Sequence, residues 1–243
     1  MDVFDLADAH THSARAFGAV ADLYNKIRPP YPLEAVRWLL GDRPKRVLDL
    51  GAGTGIFSRA LASAGHEVIA IEPDPLMRRL VGEGITAIDG TAEEIPFPDA
   101  SVDAVVAAQS YHWFNAHFAH AEIARVLVDD GTFGPIWNIR DESVDWVAIM
   151  SKIAESEAQD ALYPPLNFGS VFTKGERHEF RHVTHHTADS LIDLVRSRSY
   201  YLMASSERRV EVEAELRDLV APLGEPFELP YITVAVRGHR LPR

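Results

Sequence analysis

A chain of 243 residues with 47% hydrophobic content carries enough apolar material to bury one sizeable core. Its formal charge of −12 argues against clasping the phosphate backbone of a nucleic acid, and no apolar run approaches the ~20 residues that cross a bilayer. The lack of cysteine removes disulfides, thiolate nucleophiles and cysteine metal sites, and the opening Met1-Asp-Val-Phe-Asp-Leu6 lacks both parts of a secretory signal, so a cytoplasmic protein is expected.

Residues 1–45 are expected to form a helical cover. Within them Tyr24 and Arg28 stand one helical turn apart and so share a face. The apolar run 46–50 predicts a buried strand that enters a glycine-rich turn, Gly51-Ala-Gly-Thr-Gly55, ahead of a helix over 57–64. Further strands are predicted at 68–72, 85–89, 102–107 and 131–137, with helices at 75–81 and 119–126. Gly65, Gly84 and Gly131 are expected to stop helices. This alternation is the pattern of a mostly parallel α/β sheet. After Arg140 the pattern changes: a helix over 144–161 ends before Pro164-Pro165, and a strand-like alternation runs over 176–184. Helices are then expected over 189–205 and 207–221, and residues 227–238 close the chain as a strand.

The glycine turn carries the chemistry. Alternate glycines let a backbone pass beneath a ligand where a Cβ would collide, and the helix that follows begins with N–H groups that have no helical partner. Dinucleotides and S-adenosylmethionine (SAM) are both bound at such turns. A dinucleotide fingerprint is spaced G-x-G-x-x-G/A; Gly51 and Gly53 fit it, but its sixth position is Ile56, and Gly55 falls one residue early. SAM carries no phosphate, and the ammonium of its amino-acid end suits backbone carbonyls and a nearby acid. Asp49, just ahead of the glycines, supplies that negative charge. Glu72, at the end of Glu67-Val-Ile-Ala-Ile-Glu72, is placed to accept from both hydroxyls of a ribose, whichever nucleoside is bound. The plain alternative is a strand–turn–helix whose glycines serve the turn alone.

Further motifs stand in order around this turn: Tyr24-Asn-Lys-Ile-Arg-Pro-Pro-Tyr-Pro32, Ile71-Glu-Pro-Asp-Pro75 and Gly90-Thr-Ala-Glu-Glu-Ile-Pro96. Ala108-Gln-Ser-Tyr-His-Trp-Phe114, Ile136-Trp-Asn-Ile-Arg-Asp-Glu142 and Ser197-Arg-Ser-Tyr200 follow. Together they resemble the class I SAM-dependent methyltransferases, and more narrowly the small-molecule branch (methyltransferase type 11) that includes trans-aconitate-type enzymes. The resemblance extends over nearly the whole chain. It implies a Rossmann-like, seven-stranded, mostly parallel sheet with an antiparallel last strand, helices on both faces and a helical cover over the cleft. It implies one domain, with a SAM-binding core at 46–140 and a helical insertion plus sheet-completing part at 141–243. The cofactor implied is SAM, leaving as S-adenosylhomocysteine. Tyr24, Arg28, Asp49, Gly51, Ala52, Gly53, Gly55, Glu72, Pro73, Ala92, Glu93 and Gln109 are the residues expected to hold it.

The acceptor side is less defined. His112 sits just past the fourth strand, where open α/β sheets bind ligands. An imidazole with a reference pKa of ~6.5 suits a general base toward a hydroxyl acceptor, whereas a carboxylate acceptor needs no base. The plain reading of His112 is packing against Trp113. The Arg28 guanidinium suits a carboxylate, either the cofactor's or the substrate's, and Arg140 and Tyr200 are candidates for an acidic substrate. A small-molecule acceptor methylated on oxygen is expected, with no nucleic-acid or membrane partner. A fold kept for binding or a non-methylating reaction is the second reading, and a nicotinamide enzyme the third.

No metal is expected, although there are eleven histidines. On a strand, His178 and His182 share one face while His185 lies opposite, and His10 and His12 read as a polar tail. Val128-Asp-Asp-Gly131 stands where the family usually has a Pro-Gly-Gly-like turn, and a change of turn geometry alone is expected from it.

Overall fold

The computed structural model describes residues 28–154 and 164–242. In chain order these form α1 (Leu33–Leu40), β1 (Arg46–Leu50), α2 (Ile56–Ser63), β2 (Glu67–Ile71), α3 (Pro75–Arg78), β3 (Thr86–Ile88) and β4 (Val102–Ala108). A 3-10 turn (Tyr111–Trp113), α4 (Ala116–Val126), β5 (Leu127–Arg140) and α5 (Asp145–Ile153) follow. The chain ends with β6 (Glu176–His186), α6 (Ala188–Arg196), α7 (Ser199–Met203), α8 (Ser206–Val220) and β7 (Phe227–His239).

Seven strands form one sheet in the order β3-β2-β1-β4-β5-β7-β6. The pairs β1–β2, β2–β3, β1–β4 and β4–β5 are parallel, and β7 is the antiparallel strand. From β1 the order runs outward to β2 on one side and to β4 on the other. That reversal opens a crevice at the carboxyl end of β1, where ligands bind in open sheets, and the glycine turn occupies it.

The described residues fall into two compact units. The larger contains residues 30–139, 164–180 and 233–242, hence β1 to β4, most of β5 and α1 to α4. Its core is built where α1 and α2 press Val36, Leu39, Phe57 and Leu61 onto Val47, Ala104 and Val106 of the sheet. Phe57, Ser58 and Leu61 are the buried face of α2, so the helix is held by that stripe; its start at Gly55 has a left-handed φ of 78° and no side-chain cap. Burying Phe57 and Leu61 contributes roughly 1.5–3 kcal/mol each. A second cluster is aromatic, with Phe133 and Phe168 rings 4.8 Å apart and Tyr111 and His120 joined by a 2.9 Å hydrogen bond.

The smaller unit contains residues 28–29, 140–154 and 181–232. There α5, α6 and α8 bury Val147, Met150, Leu191, Leu194, Val212 and Leu216 against Phe227, Leu229 and Tyr231 of β7. Thr187 caps α6 in a reciprocal pair with Ser190, which supplies partners for two of its otherwise orphaned N–H groups.

Several element bounds differ from those predicted. The helix expected over 75–81 stops at Arg78, because Arg59 Nη1 takes the Val81 carbonyl at 2.9 Å and fixes that stretch outside the helix. The helix expected over 189–205 is two helices. Ser197 lends its carbonyl to Arg28 Nη2 (3.1 Å), and Arg198 turns extended at ψ 145°. Gly131 does not stop a helix: α4 already gives way to strand at Leu127, and Gly131 lies within β5. Between Leu127 and Thr132 the register against β4 slips, so Val128 to Gly131 form a bulge with Asp130 at φ 62°. The unusual turn sequence thus becomes a kink in the strand, held by Asp130 N and Gly131 O pairing with the Arg240 backbone. Of the helix expected over 144–161, α5 is the described part.

Two histidines of β6 serve packing. His178 stacks on Trp38 with ring centroids 5.5 Å apart, and His182 stacks on Tyr231 at 5.6 Å.

Candidate functional site

Strand β1 ends at Leu50 and delivers its chain into a turn whose glycines all have positive φ: Gly51 at 64°, Gly53 at 58° and Gly55 at 78°. They are required for different reasons. A Cβ on Gly55 would lie 2.7 Å from the Val81 carbonyl oxygen and 2.8 Å from Val81 Cα, so this glycine lets α2 pack on backbone. A Cβ on Gly51 would lie 2.7 Å from Ser110 Cβ, which seats the segment after β4 directly on the turn. A Cβ on Gly53 would meet only Met77 Sδ at 3.8 Å, so protein packing leaves the space above it open.

Four N–H groups of the turn are already used inside the protein. Gly51 N and Ala52 N donate to Ile71 O (2.8 and 3.2 Å), Gly55 N donates to Ala52 O (2.9 Å), and Gly53 N donates to Glu72 Oε2 (2.7 Å). A phosphate cradle works by offering such groups outward; here four of them face inward. What the turn presents in their place is acid. Asp49 is fully buried, its Oδ2 accepting from Ser58 Oγ at 2.6 Å and its Oδ1 without a partner. Burial pushes its pKa up to about 7, against the Ser58 hydrogen bond and with a smaller push from Glu72. Glu72 is also buried and raised, mainly by desolvation, while the N–H groups of Asp74 and Gly53 pull the other way. Asp74 is buried at the start of α3, its Oδ1 accepting from Leu76 N at 2.7 Å and its Oδ2 without a partner.

Three buried carboxyl groups around one turn disfavour an anion and favour a cation. Each of Glu72's oxygens spends one acceptor position on backbone and retains another for a hydroxyl. Pro73 follows it at the surface, its carbonyl taken by Arg78 at 3.1 Å.

The remaining expected cofactor residues of the larger unit surround the same strand ends. Ala92 is buried at the start of the bend that follows Gly90. Glu93 Oε1 accepts from Asn115 N at 2.8 Å, tying the loop after β3 to the start of α4. Gln109 adopts φ 57°, and its Nε2 donates to Asn138 O at 2.8 Å. His112 lies exposed in the 3-10 turn, tilted on Trp113 with rings 4.9 Å apart. Its crowded surroundings lower its pKa by desolvation, a push that its surface position limits, and the imidazole is neutral at pH 7.

Arg28, Arg140 and Tyr200 belong to the smaller unit. Arg140 is buried, with Nε donating to Ser151 Oγ at 3.1 Å. Tyr24 lies outside the described residues.

Sequence reasoning missed the residues that hold the site in shape. Ser58 pins Asp49, Ser110 Oγ donates to Leu50 O at 2.6 Å, and Asn138 bridges Pro30 O and Thr233 Oγ1. Ser58 had one signal: a polar residue two places into a helix whose neighbours, Phe57 and Leu61, face the core.

The family described as "Methyltransferase domain" matches residues 48–134. The uncharacterized methyltransferase Mb3374 of Mycobacterium bovis is 39% identical over 231 residues, covering 92% of this chain and 95% of its own length. The methyltransferase-like protein C25B8.10 of Schizosaccharomyces pombe is 33% identical over 246 residues, covering 92% and 94%. Among solved structures, a protein of Anaeromyxobacter dehalogenans assigned as a type II methyltransferase superimposes with a TM-score of 0.66 at 22% identity, over 89% of this chain and 99% of that one. The YcgJ protein of Bacillus subtilis does so with a TM-score of 0.52 at 20% identity, over 87% and 98%.

Proposed function

Since the chain belongs to the class I SAM-dependent methyltransferases, we propose that it binds SAM at the Gly51–Gly55 turn and methylates an oxygen of a small-molecule acceptor. The observation that carries the cofactor assignment is the turn itself: inward N–H groups, an open space over Gly53, and the partnerless Oδ1 of buried Asp49. The donor set fits a cationic amino-acid end beside Asp49 and a ribose on Glu72, with Ala92 and Gln109 flanking the base.

Held beside Asp49 and Glu72, SAM would supply a methyl group activated by its sulfonium for transfer to the acceptor oxygen, with S-adenosylhomocysteine as the leaving product. The chain's own work is positional. Asp49 and Glu72 balance the charge, and alignment of the acceptor behind the methyl is worth ~7–11 kcal/mol without any covalent step. For a hydroxyl acceptor, neutral His112 takes the proton. A net charge of −12 favours a small acceptor over nucleic acid. No helix among the described residues is long and apolar enough to cross a membrane, and together with the absence of cysteine this supports a cytoplasmic location.

Titration calorimetry with SAM, S-adenosylhomocysteine and NADH tests the reading. Micromolar binding of the first two and none of the third is expected; binding of NADH alone overturns it.

A further inference from the structure

The smaller unit gathers three arginines. Arg140 closes β5, Arg198 lies between α6 and α7, and Arg28 reaches Ser197 O from the N-terminal side. All three act electrostatically on the hydroxyl of Tyr231, which is 1% exposed on β7, and Arg198 acts directly on Arg140. Tyr200 is within the same range of Arg140, and the acid that acts on it is Glu142.

Three polar atoms of this cluster are buried without hydrogen-bond partners: Arg140 Nη1, Arg198 Nε and Tyr231 Oη. Arg140 is 5% exposed, so its open Nη1 is a buried charged donor. Such a group costs folding free energy unless something accepts from it. The two guanidinium groups repel as well, and burial together with Arg198 lowers the pKa of Arg140. A structural role would favour one arginine paired with one acid. Two arginines and a tyrosine with open donors, in a chain of net charge −12, make a receptor for an anion.

We propose that Arg140, Arg198 and Tyr231 form a carboxylate receptor, and that its ligand is an acidic small molecule, the methyl acceptor under the function proposed above. Guanidinium forks match the two oxygens of a carboxylate, and the Tyr231 hydroxyl adds a third donor. A carboxylate held this way has its lone pairs engaged. The receptor extends the role expected of Arg140 and Tyr200 to Arg198 and Tyr231, which were not among the expected site residues.

Thermal melting and calorimetry of the full chain with acetate, succinate and citrate test this, with succinamide as the uncharged control and inorganic phosphate as a competing anion. Saturable binding of succinate or citrate is expected, with none of succinamide. Arg198→Gln is expected to weaken that binding at least tenfold, to melt at or above the wild-type temperature without ligand, and to keep its affinity for S-adenosylhomocysteine. Tyr231→Phe, which preserves the ring, is expected to weaken it a few-fold. An Arg198→Gln chain that melts lower and binds carboxylates as wild type does would make the cluster structural and overturn the proposal. So would absent carboxylate binding, or phosphate binding tighter than any carboxylate. Loss of S-adenosylhomocysteine affinity in step with succinate would assign the cluster to the cofactor's own carboxylate and overturn the acceptor assignment. A wild-type chain that binds succinate but no S-adenosylhomocysteine upholds the receptor and removes methyl transfer.

Discussion

Asp49 is the residue whose behaviour is most specific to this fold. Its pKa rises from 3.8 to about 7 on folding. A raised acid pKa means that the folded chain holds the proton that the unfolded chain releases. The stability linked to Asp49 is therefore intact below pH 3.8 and falls as the pH climbs to about 7, by roughly 4 kcal/mol in all. Asp49→Asn is expected to melt higher than wild type at pH 8 and to lose that advantage at pH 4, as followed by circular dichroism. A cation bound beside Asp49 favours its ionised form. Binding of SAM at pH 6 should thus release protons, which calorimetry in two buffers of different ionisation enthalpy detects. Glu72→Ala removes the acceptors proposed for the ribose together with the partner of Gly53 N, and a loss of SAM affinity of ten-fold or more is expected in direct titration. His112 carries a pH prediction of the opposite kind. Because its pKa is lowered, turnover of a hydroxyl acceptor should hold its plateau down to about pH 6.5 before declining. His112→Ala should flatten that acid limb, whereas a carboxylate acceptor would show no limb to flatten.

At the scale of the element, the glycine turn separates folding from binding. Gly55 is positioned by its contact with Val81 backbone, so Gly55→Ala forces α2 off its seat and is expected to lower the urea midpoint markedly. Gly53 has only Met77 Sδ near its missing Cβ. Gly53→Ala bears the left-handed strain of about 1–2 kcal/mol, yet should lose most of its SAM affinity while remaining folded. The strand, the turn and the partner acid at the end of β2 were legible in the sequence because each is local: an apolar run, a spacing, a residue at a strand end. The bounds of α3, the break at Ser197–Arg198 and the bulge at Val128–Gly131 were not. They depend on Arg59 reaching Val81, on Arg28 reaching Ser197 and on the Arg240 backbone pairing with β5, and no window of sequence contains both partners.

Over the whole molecule, each of the two units buries an apolar core of its own, so each is open to separate test. Leu216→Ala, on α8 in the core of the smaller unit, is expected to cost about 2–5 kcal/mol in urea unfolding. Trimming Phe133, buried among the aromatic rings of the larger unit, should cost about 3–5 kcal/mol and shows whether the two cores unfold in one transition or two.

Alternation of apolar runs and the glycine turn determined the class of fold, because a doubly wound sheet writes its strands and first turn into contiguous residues, and the ordered motifs from Tyr24 to Tyr200 carried the resemblance to the family. Tertiary structure alone decided the state of the site. That four of the turn's N–H groups face inward, that burial lifts the pKa of Asp49 to about 7, and that Arg140, Arg198 and Tyr231 lie within electrostatic range of one another are consequences of residues far apart in sequence meeting in a low-dielectric interior. Burial and charge proximity are properties of three-dimensional neighbours, and a linear pattern does not contain them.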